Sequence, residues 1–235
     1  MRRLFRPALP VDAAAFLATE ARATTGWDKA QRRQPMRQVK NMLRRMAGPS
    51  ERCMYCVDSH GSDIEHFWPK VAYPERMFRW DNLLLCCSEC GRLKGARFPL
   101  ADGKPLLVDP SAEDPWQHLD FIPQSGLLTA RFNPAVNEYS EKGRATVEVL
   151  KLDEREALEN AYLKTYRRLR SVLHRFPEAG LSTATELAAE LRKADDHGLL
   201  GWWLTDTGVQ DEPLREFRRR QPAVWEECVA LLQPA

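Results

Sequence analysis

The chain has 235 residues, a formal net charge of +2, 43% hydrophobic and 29% charged residues. No apolar run approaches the roughly 20 residues that cross a bilayer, which argues against an integral membrane protein. A net charge this close to zero gives no global signature of a nucleic-acid binder either, so the informative features are local.

Taken in order, the first stretch, Met1-Arg-Arg-Leu-Phe-Arg-Pro7, is basic but lacks the apolar segment of a signal peptide, and the expected location is cytoplasmic. Residues 1 to 27 read as a loosely structured arm with a short helical pattern around Asp12 to Arg22. Pro35 suits the first turn of a helix, and Met36, Val39, Leu43 and Met46 follow on one face, with Gly48-Pro49 as the stop. Arg37, Lys40, Arg44 and Arg45 fall on the other faces. Seven Lys/Arg and no acidic residue lie between Lys29 and Ser50, a run that reads equally as a basic binding face or as a solvated helix surface.

Residues 53 to 99 carry the densest signal. Cys53 and Cys56 form one Cys-x-x-Cys pair, and Cys87 and Cys90 form another. Two such pairs can give four thiolates to a tetrahedral Zn²⁺. Cys86 offers a second register, but Cys87-x-x-Cys90 has the preferred spacing. Between the pairs lies Asp63-Ile-Glu65-His66-Phe-Trp-Pro-Lys70, with Asn82 shortly before the second pair. A carboxylate beside an imidazole suits a hard cation held through oxygen and a proton taken from water. Asn82 would hydrogen-bond the backbone or the imidazole.

Further on, Lys104 to Pro110 reads as a short strand, and His118 to Ile122 with Leu127 to Ala130 as a hairpin. Asp153 with Glu156 is a capping-box pattern opening a long helix that Pro177 ends. Thr183 with Glu186 opens another helix to about Lys193. The remainder, with Trp202, Trp203 and Trp225, reads as helical packing, and Cys228 as a buried thiol.

The module resembles the HNH endonucleases, whose ββα-metal motif runs Cys-x-x-Cys, Asp/Glu-His-x-x-Pro, Asn-Leu, then Cys-x-x-Cys-Asn/His-x-x-Lys-Gly. Matching residues are Cys53/Cys56, Glu65-His66 with Pro69, Asn82-Leu83, Cys87/Cys90 and Lys94-Gly95. It is more narrowly similar to the HNH proteins of Septu-type and retron-associated antiphage systems, through Ile64 to Lys70, Tyr73-Pro74, Trp80 to Leu83 and Phe98 to Leu100. Leu107 to Pro110, Asp114-Pro115 and Ala145 to Leu150 extend the likeness, which covers roughly residues 1 to 176. One position departs: Gly91 stands where the family carries Asn or His.

The resemblance implies an α+β protein with a zinc-stabilised ββα-metal core, a mostly helical N-terminal arm and a helical C-terminal region. The corresponding segments are 1–52 (arm and basic helix), 53–99 (zinc module), 100–177 (α+β extension) and 178–235 (helical end). It implies a phosphodiesterase acting on DNA or RNA, with structural Zn²⁺ on the four cysteines and catalytic Mg²⁺ or Mn²⁺ on Glu65. His66 would be the general base and Asn82 would orient the site. It also implies an ABC-type ATPase partner and, in some systems, a retron. Lys70, Lys94, Arg37, Lys40 and Arg44 are candidate phosphate contacts, and Trp68 and Trp80 are base-stacking or core aromatics. The competing expectations are a non-catalytic zinc module that binds nucleic acid or a partner, and a subunit whose main role is assembly. Glu89, Asp81 and Asp63 are the side chains that could replace the ligand missing at Gly91.

Overall fold

The computed structural model describes residues 1–23, 26–176, 183–205 and 207–232. Pro177 and the segment boundary placed there lie outside these residues. Among them, the chain is a mixture of helices and small two-stranded antiparallel sheets, an α+β arrangement. No described helix is long and apolar enough to cross a membrane.

The helices α1 (Val11–Arg22), α2 (Trp27–Ala30) and α3 (Gln34–Ala47) come first. The apolar periodicity of α3 buries Met36, Val39, Leu43 and Ala47, with Pro35 in its first turn and Gly48 at its end at a positive φ of 87°, which glycine adopts without a Cβ penalty. Residues 1–10 correct the expectation of a loose arm. They have no regular secondary structure, yet they are strapped down: Leu4 N–H donates to the Pro110 carbonyl at 2.7 Å, and the Arg6 guanidinium donates to the carbonyls of Trp80 and Leu83 at 2.7 and 2.9 Å. Met1 and Leu4 are buried.

The central module is built from β1 (Asp63–His66), β2 (Leu83–Cys86) and α4 (Ser88–Lys94). The strands pair antiparallel, Asp63 opposite Cys86 and His66 opposite Leu83. All four residues of β2 are buried, because α3 covers the hairpin. A run of Leu83-Leu84-Leu85 without alternation is what a strand buried on both faces requires.

Two short hairpins and a longer one follow: β3 (Leu100–Ala101) with β4 (Lys104–Pro105), β5 (Leu119–Ile122) with β6 (Leu127–Ala130), and β7 (Phe132–Asn133) with β8 (Glu138–Tyr139). The strand expected from Lys104 to Pro110 is thus only its first two residues; Pro105 has no N–H to extend the ladder, and Leu107 and Val108 turn into the core instead. Helix α5 (Glu141–Leu150) is capped by Ser140 Oγ and ends at Lys151 in a left-handed conformation, φ 48°. That turn displaces the start of the long helix α6 (Glu156–Arg175), whose N-cap is Arg155 with no side-chain cap, so the Asp153/Glu156 capping box is not formed.

Beyond it, α7 (Ala184–Ala194) does carry the full Thr183/Glu186 capping box, and α8 (Leu199–Trp203), α9 (Leu214–Arg220) and α10 (Pro222–Leu232) complete the chain. Helices α7, α8 and α9 pack on α6, and Trp202, Trp203, Trp225 and Cys228 are all buried.

Candidate metal centre and the adjoining polar site

Two turns bring the four cysteines together. After Cys53 the chain turns sharply, with Val57 N–H donating to the Cys53 carbonyl at 2.9 Å. Val57 itself sits at φ 55°, a costly conformation for a β-branched residue that aims the turn at the cysteines. Cys87 is the N-cap of α4, and its Sγ accepts the Cys90 N–H at 3.4 Å. The helix N-terminus favours a thiolate there. The four Sγ atoms are buried and lie within 4.8 Å of one another. A tetrahedral Zn²⁺ with bonds of about 2.3 Å places its sulfurs about 3.8 Å apart; Cys56 and Cys87 are 3.9 Å apart. The donor set and spacing therefore fit a metal ion such as zinc. Cys86 is not part of this cluster: its Sγ donates to the Cys87 carbonyl at 3.2 Å.

Distant residues brace the cage. Arg155 reaches Cys90 Sγ at 3.4 Å and also pairs with Glu89, so a guanidinium offsets the negative charge that four thiolates on a divalent ion would leave. Tyr162 on α6 donates to the Cys56 carbonyl at 3.1 Å. Neither was legible in the sequence, because no short-range spacing connects residue 155 or 162 to the cysteines.

Glu65 and His66 end β1 on opposite faces, as alternation dictates. Glu65 faces α4: Lys94 Nζ donates to its Oε1 at 2.8 Å and to the His66 carbonyl at 2.8 Å. Lys94 is fully buried, with 0% exposure. Its ammonium is committed to these two acceptors, a placement that does not suit the phosphate contact expected of it. Burial raises the Glu65 pKa, with Lys94 opposing. A Cβ placed on Gly91 would lie 3.8 Å from Glu65 Oε2 and 3.8 Å from Cys86 Sγ. Position 91 thus faces the carboxylate oxygen that Lys94 leaves free, and glycine puts no ligand there. The three possible replacements are engaged elsewhere: Glu89 with Arg155, Asp81 with Arg79 at 2.6 Å, and Asp63 with the Ser62 hydroxyl at 2.7 Å. The four-cysteine cluster is the group that could hold a metal ion among the described residues; at the Glu65 end, the oxygen outside the lysine pair is Glu65 Oε2.

His66 faces the other way. Its Nε2 lies 3.0 Å from the Met77 carbonyl. A carbonyl only accepts, so Nε2 carries the proton and Nδ1 keeps the lone pair. His66 is 4% exposed and Trp27 stands edge-on to its ring, with centroids 4.3 Å apart. Burial, then the charge of Lys70, lowers its pKa to about 4, so the imidazole is neutral at neutral pH. Trp27 as its cover was not legible either, since a tryptophan thirty-nine residues upstream carries no local signal.

Asn82 binds backbone rather than imidazole. Its Oδ1 accepts the Trp68 N–H at 2.7 Å, and its Nδ2 donates to the carbonyls of Trp68 and Arg76 at 3.1 and 3.0 Å. It fixes the loop that follows His66. Of the remaining cations, Lys70 is half-buried with Nζ 6.0 Å from the Trp27 ring centre. On α3, Arg37 is exposed, Lys40 is half-buried and Arg44 pairs with Glu51 at 3.2 Å. Trp68 packs against Tyr73 and Phe98, and Trp80 donates to the Pro7 carbonyl at 2.9 Å beneath the Arg6 guanidinium.

No family model matches the chain. Two relatives do: a Septu protein PtuB of Bacillus thuringiensis, 29% identical over 114 residues, covering 46% of this chain and 39% of the relative, and a Septu protein PtuB of Bacillus mycoides (strain KBAB4), 32% identical over 153 residues, covering 52% and 48%. The chain thus spans less than half the length of the relatives it matches. Over about half of its own length, at about 30% identity, it is similar to Septu protein PtuB.

Proposed function

We propose that the chain is a metal-dependent endonuclease of the HNH type, acting on DNA or RNA as the nuclease component of a Septu-like antiphage defence complex. The observation that carries this reading is the end of β1. There a neutral histidine with its tautomer fixed directly follows, on the opposite face of the strand, a carboxylate whose Oε2 lies outside its lysine pair, on a hairpin and helix held by four cysteines.

In this mechanism His66 Nδ1 accepts a proton from water as the oxygen attacks phosphorus. The Met77 carbonyl keeps Nε2 protonated and so directs the lone pair of Nδ1 toward the reaction. Lys94 holds Glu65 Oε1 and the His66 backbone carbonyl, which ties the Glu65 side chain to the end of the strand. Asn82 holds the loop after His66. Mg²⁺ or Mn²⁺ on Glu65 Oε2 would stabilise charge on the departing 3′ oxygen. The four cysteines with zinc build the frame and take no part in the reaction.

A second reading is favoured by three observations: Gly91 in place of a ligand, the Lys94–Glu65 ion pair, and Trp27 over His66. It makes the module a zinc scaffold that binds nucleic acid or a partner, such as an ABC-type ATPase or a retron, without cutting. The two separate in one experiment. Purified chain, alone and with its ATPase partner, is incubated with single- and double-stranded DNA and RNA in Mg²⁺ or Mn²⁺. Cleavage by the parent and loss of about 10²–10⁴-fold in His66→Ala supports the nuclease; no cleavage under any arm supports the scaffold.

A further inference from the structure

An open groove of about 680 Å³ runs between the N-terminal strap and α3. Arg2, Arg3 and Phe5 form one wall, Arg45 the other, and Met42 and Met46 contribute an apolar floor. No carboxylate lines it. Arg2 is committed to the Ala47 carbonyl at the end of α3, and Arg6 to Trp80, Leu83 and Ser111. Arg3 and Arg45 are different: both are exposed, and neither pairs with a carboxylate among the described residues. Arg37 and Asn41 continue the exposed row from Arg45 along α3 at intervals of four residues.

Phe5 is the residue that decides what the groove fits. It is 53% exposed, in a strap whose neighbours Met1 and Leu4 are buried, and the Arg3 guanidinium lies 5.2 Å from its ring centre. Arg45 alone could serve to complement the negative end of the α3 dipole. That role explains neither an exposed ring beside a second free guanidinium nor the apolar floor. An acidic peptide would use the cations and leave the ring idle. A polyanion with planar bases uses both, provided the bases are unstacked.

We propose that this groove binds single-stranded nucleic acid, with phosphates on Arg3 and Arg45 and a base against Phe5 and the methionine floor. It deepens the nuclease reading and rests on it for the substrate class. The geometry suits delivery of a strand: the strap that forms one wall ends at Arg6 and Pro7, which bind the turn carrying Asn82.

The test uses the full chain carrying His66→Ala, so that binding is read without cleavage. Anisotropy of a labelled oligothymidylate, an oligouridylate and a duplex is followed over a salt series, with polyglutamate as competitor. Arg3→Ala/Arg45→Ala should weaken single-strand binding at least about tenfold and reduce the slope of log K against log salt by about 1.4, two phosphates at about 0.7 each. Phe5→Ala should weaken it by roughly 5-fold or more and leave the slope unchanged. All three side chains are exposed, and unchanged circular dichroism and zinc content would exclude misfolding as the cause. Parent affinity and slope in the double variant would overturn the proposal. So would preference for the duplex, or polyglutamate competing as well as the oligonucleotide with no effect of Phe5→Ala. A parent enzyme that cuts while the double variant binds normally sinks the groove alone; a parent that never cuts while the double variant loses binding sinks the nuclease alone.

Discussion

The two ends of one small hairpin are supported in opposite ways. The cysteine end is braced from afar: Arg155 at Cys90, Tyr162 at the Cys56 carbonyl, and His197 at Asp58, all from the second half of the chain. The Glu65–His66 end is held mostly by its own neighbourhood, through Lys94, Met77 and Asn82, with Trp27 as the cover. A closed cage can be fixed rigidly because it has one occupant. On the proposed nuclease reading, the other end must leave room for water and substrate: Lys94 takes Glu65 Oε1 rather than Oε2, and the Met77 carbonyl takes His66 Nε2 rather than Nδ1. The contrast yields different expectations for substitutions at either end.

The largest effect belongs to the cage. With zinc binding contributing on the order of 10 kcal/mol of folding free energy, Cys53→Ala should abolish cooperative unfolding of the module and leave the protein without zinc. Calorimetry and metal analysis of the same sample check this; a variant that melts like the parent would remove the distinction between the two ends.

Lys94→Met should cost about 3 kcal/mol, because Glu65 Oε1 and the His66 carbonyl lose their buried donor. Denaturant midpoints measure it, and zinc content should stay unchanged. A neutral result would mean that Lys94 does not hold the site together.

On the braced side, His197 is buried between Thr165 Oγ1 at 2.7 Å and Asp58 Oδ1 at 3.4 Å, against the Tyr162 ring and near Arg52. Burial lowers its pKa to about 4, with Asp58 opposing. The unfolded chain takes up the proton near pH 6.5, before the folded chain does. Stability is therefore fully present above pH 6.5 and falls as the pH drops toward 4, by up to about 3 kcal/mol. Urea titrations of the parent and His197→Gln at several pH values should show the variant with the flatter profile; parallel profiles would contradict it.

The smallest effect is at Gly91. Its added Cβ would meet only ordinary contacts, and removing glycine from the interior of α4 should stabilise the fold by roughly 0.5–1 kcal/mol in Gly91→Ala. In Gly91→His the new imidazole starts beside Glu65 Oε2, so half-maximal cleavage should need less Mn²⁺ than in the parent. An unchanged metal requirement would show that position 91 does not face the cation.

Much of this could be read from short-range pattern. The cysteine pairs, the apolar face of α3, the β5–β6 hairpin and the Thr183 capping box each depend on residues a few positions apart. What escaped has a different physical origin. The strap at residues 1–10 is extended and aperiodic, and contacts distant in sequence, such as Arg2 to Ala47, Arg6 to Leu83 and Leu4 to Pro110, hold it. The box at Asp153 and Glu156 had the right residues, yet the left-handed turn at Lys151 sets the entry to α6 and commits Arg155 to Cys90 instead. Lys94 matched its motif position, but sequence could not say that its charge points inward. The helical repeat that carries Leu93 and Lys94 toward the hairpin decides that.

The most direct measurement of the central claim is zinc content and Mn²⁺-dependent cleavage on the same preparations of the parent and His66→Ala, each assayed with and without the proposed ATPase partner. The account expects about one zinc per chain in both, with cleavage in the parent and a loss of about 10²–10⁴-fold in the variant. Equal cleavage by both proteins, or zinc lost along with His66, would contradict the division of this hairpin into a structural cage and a reactive end.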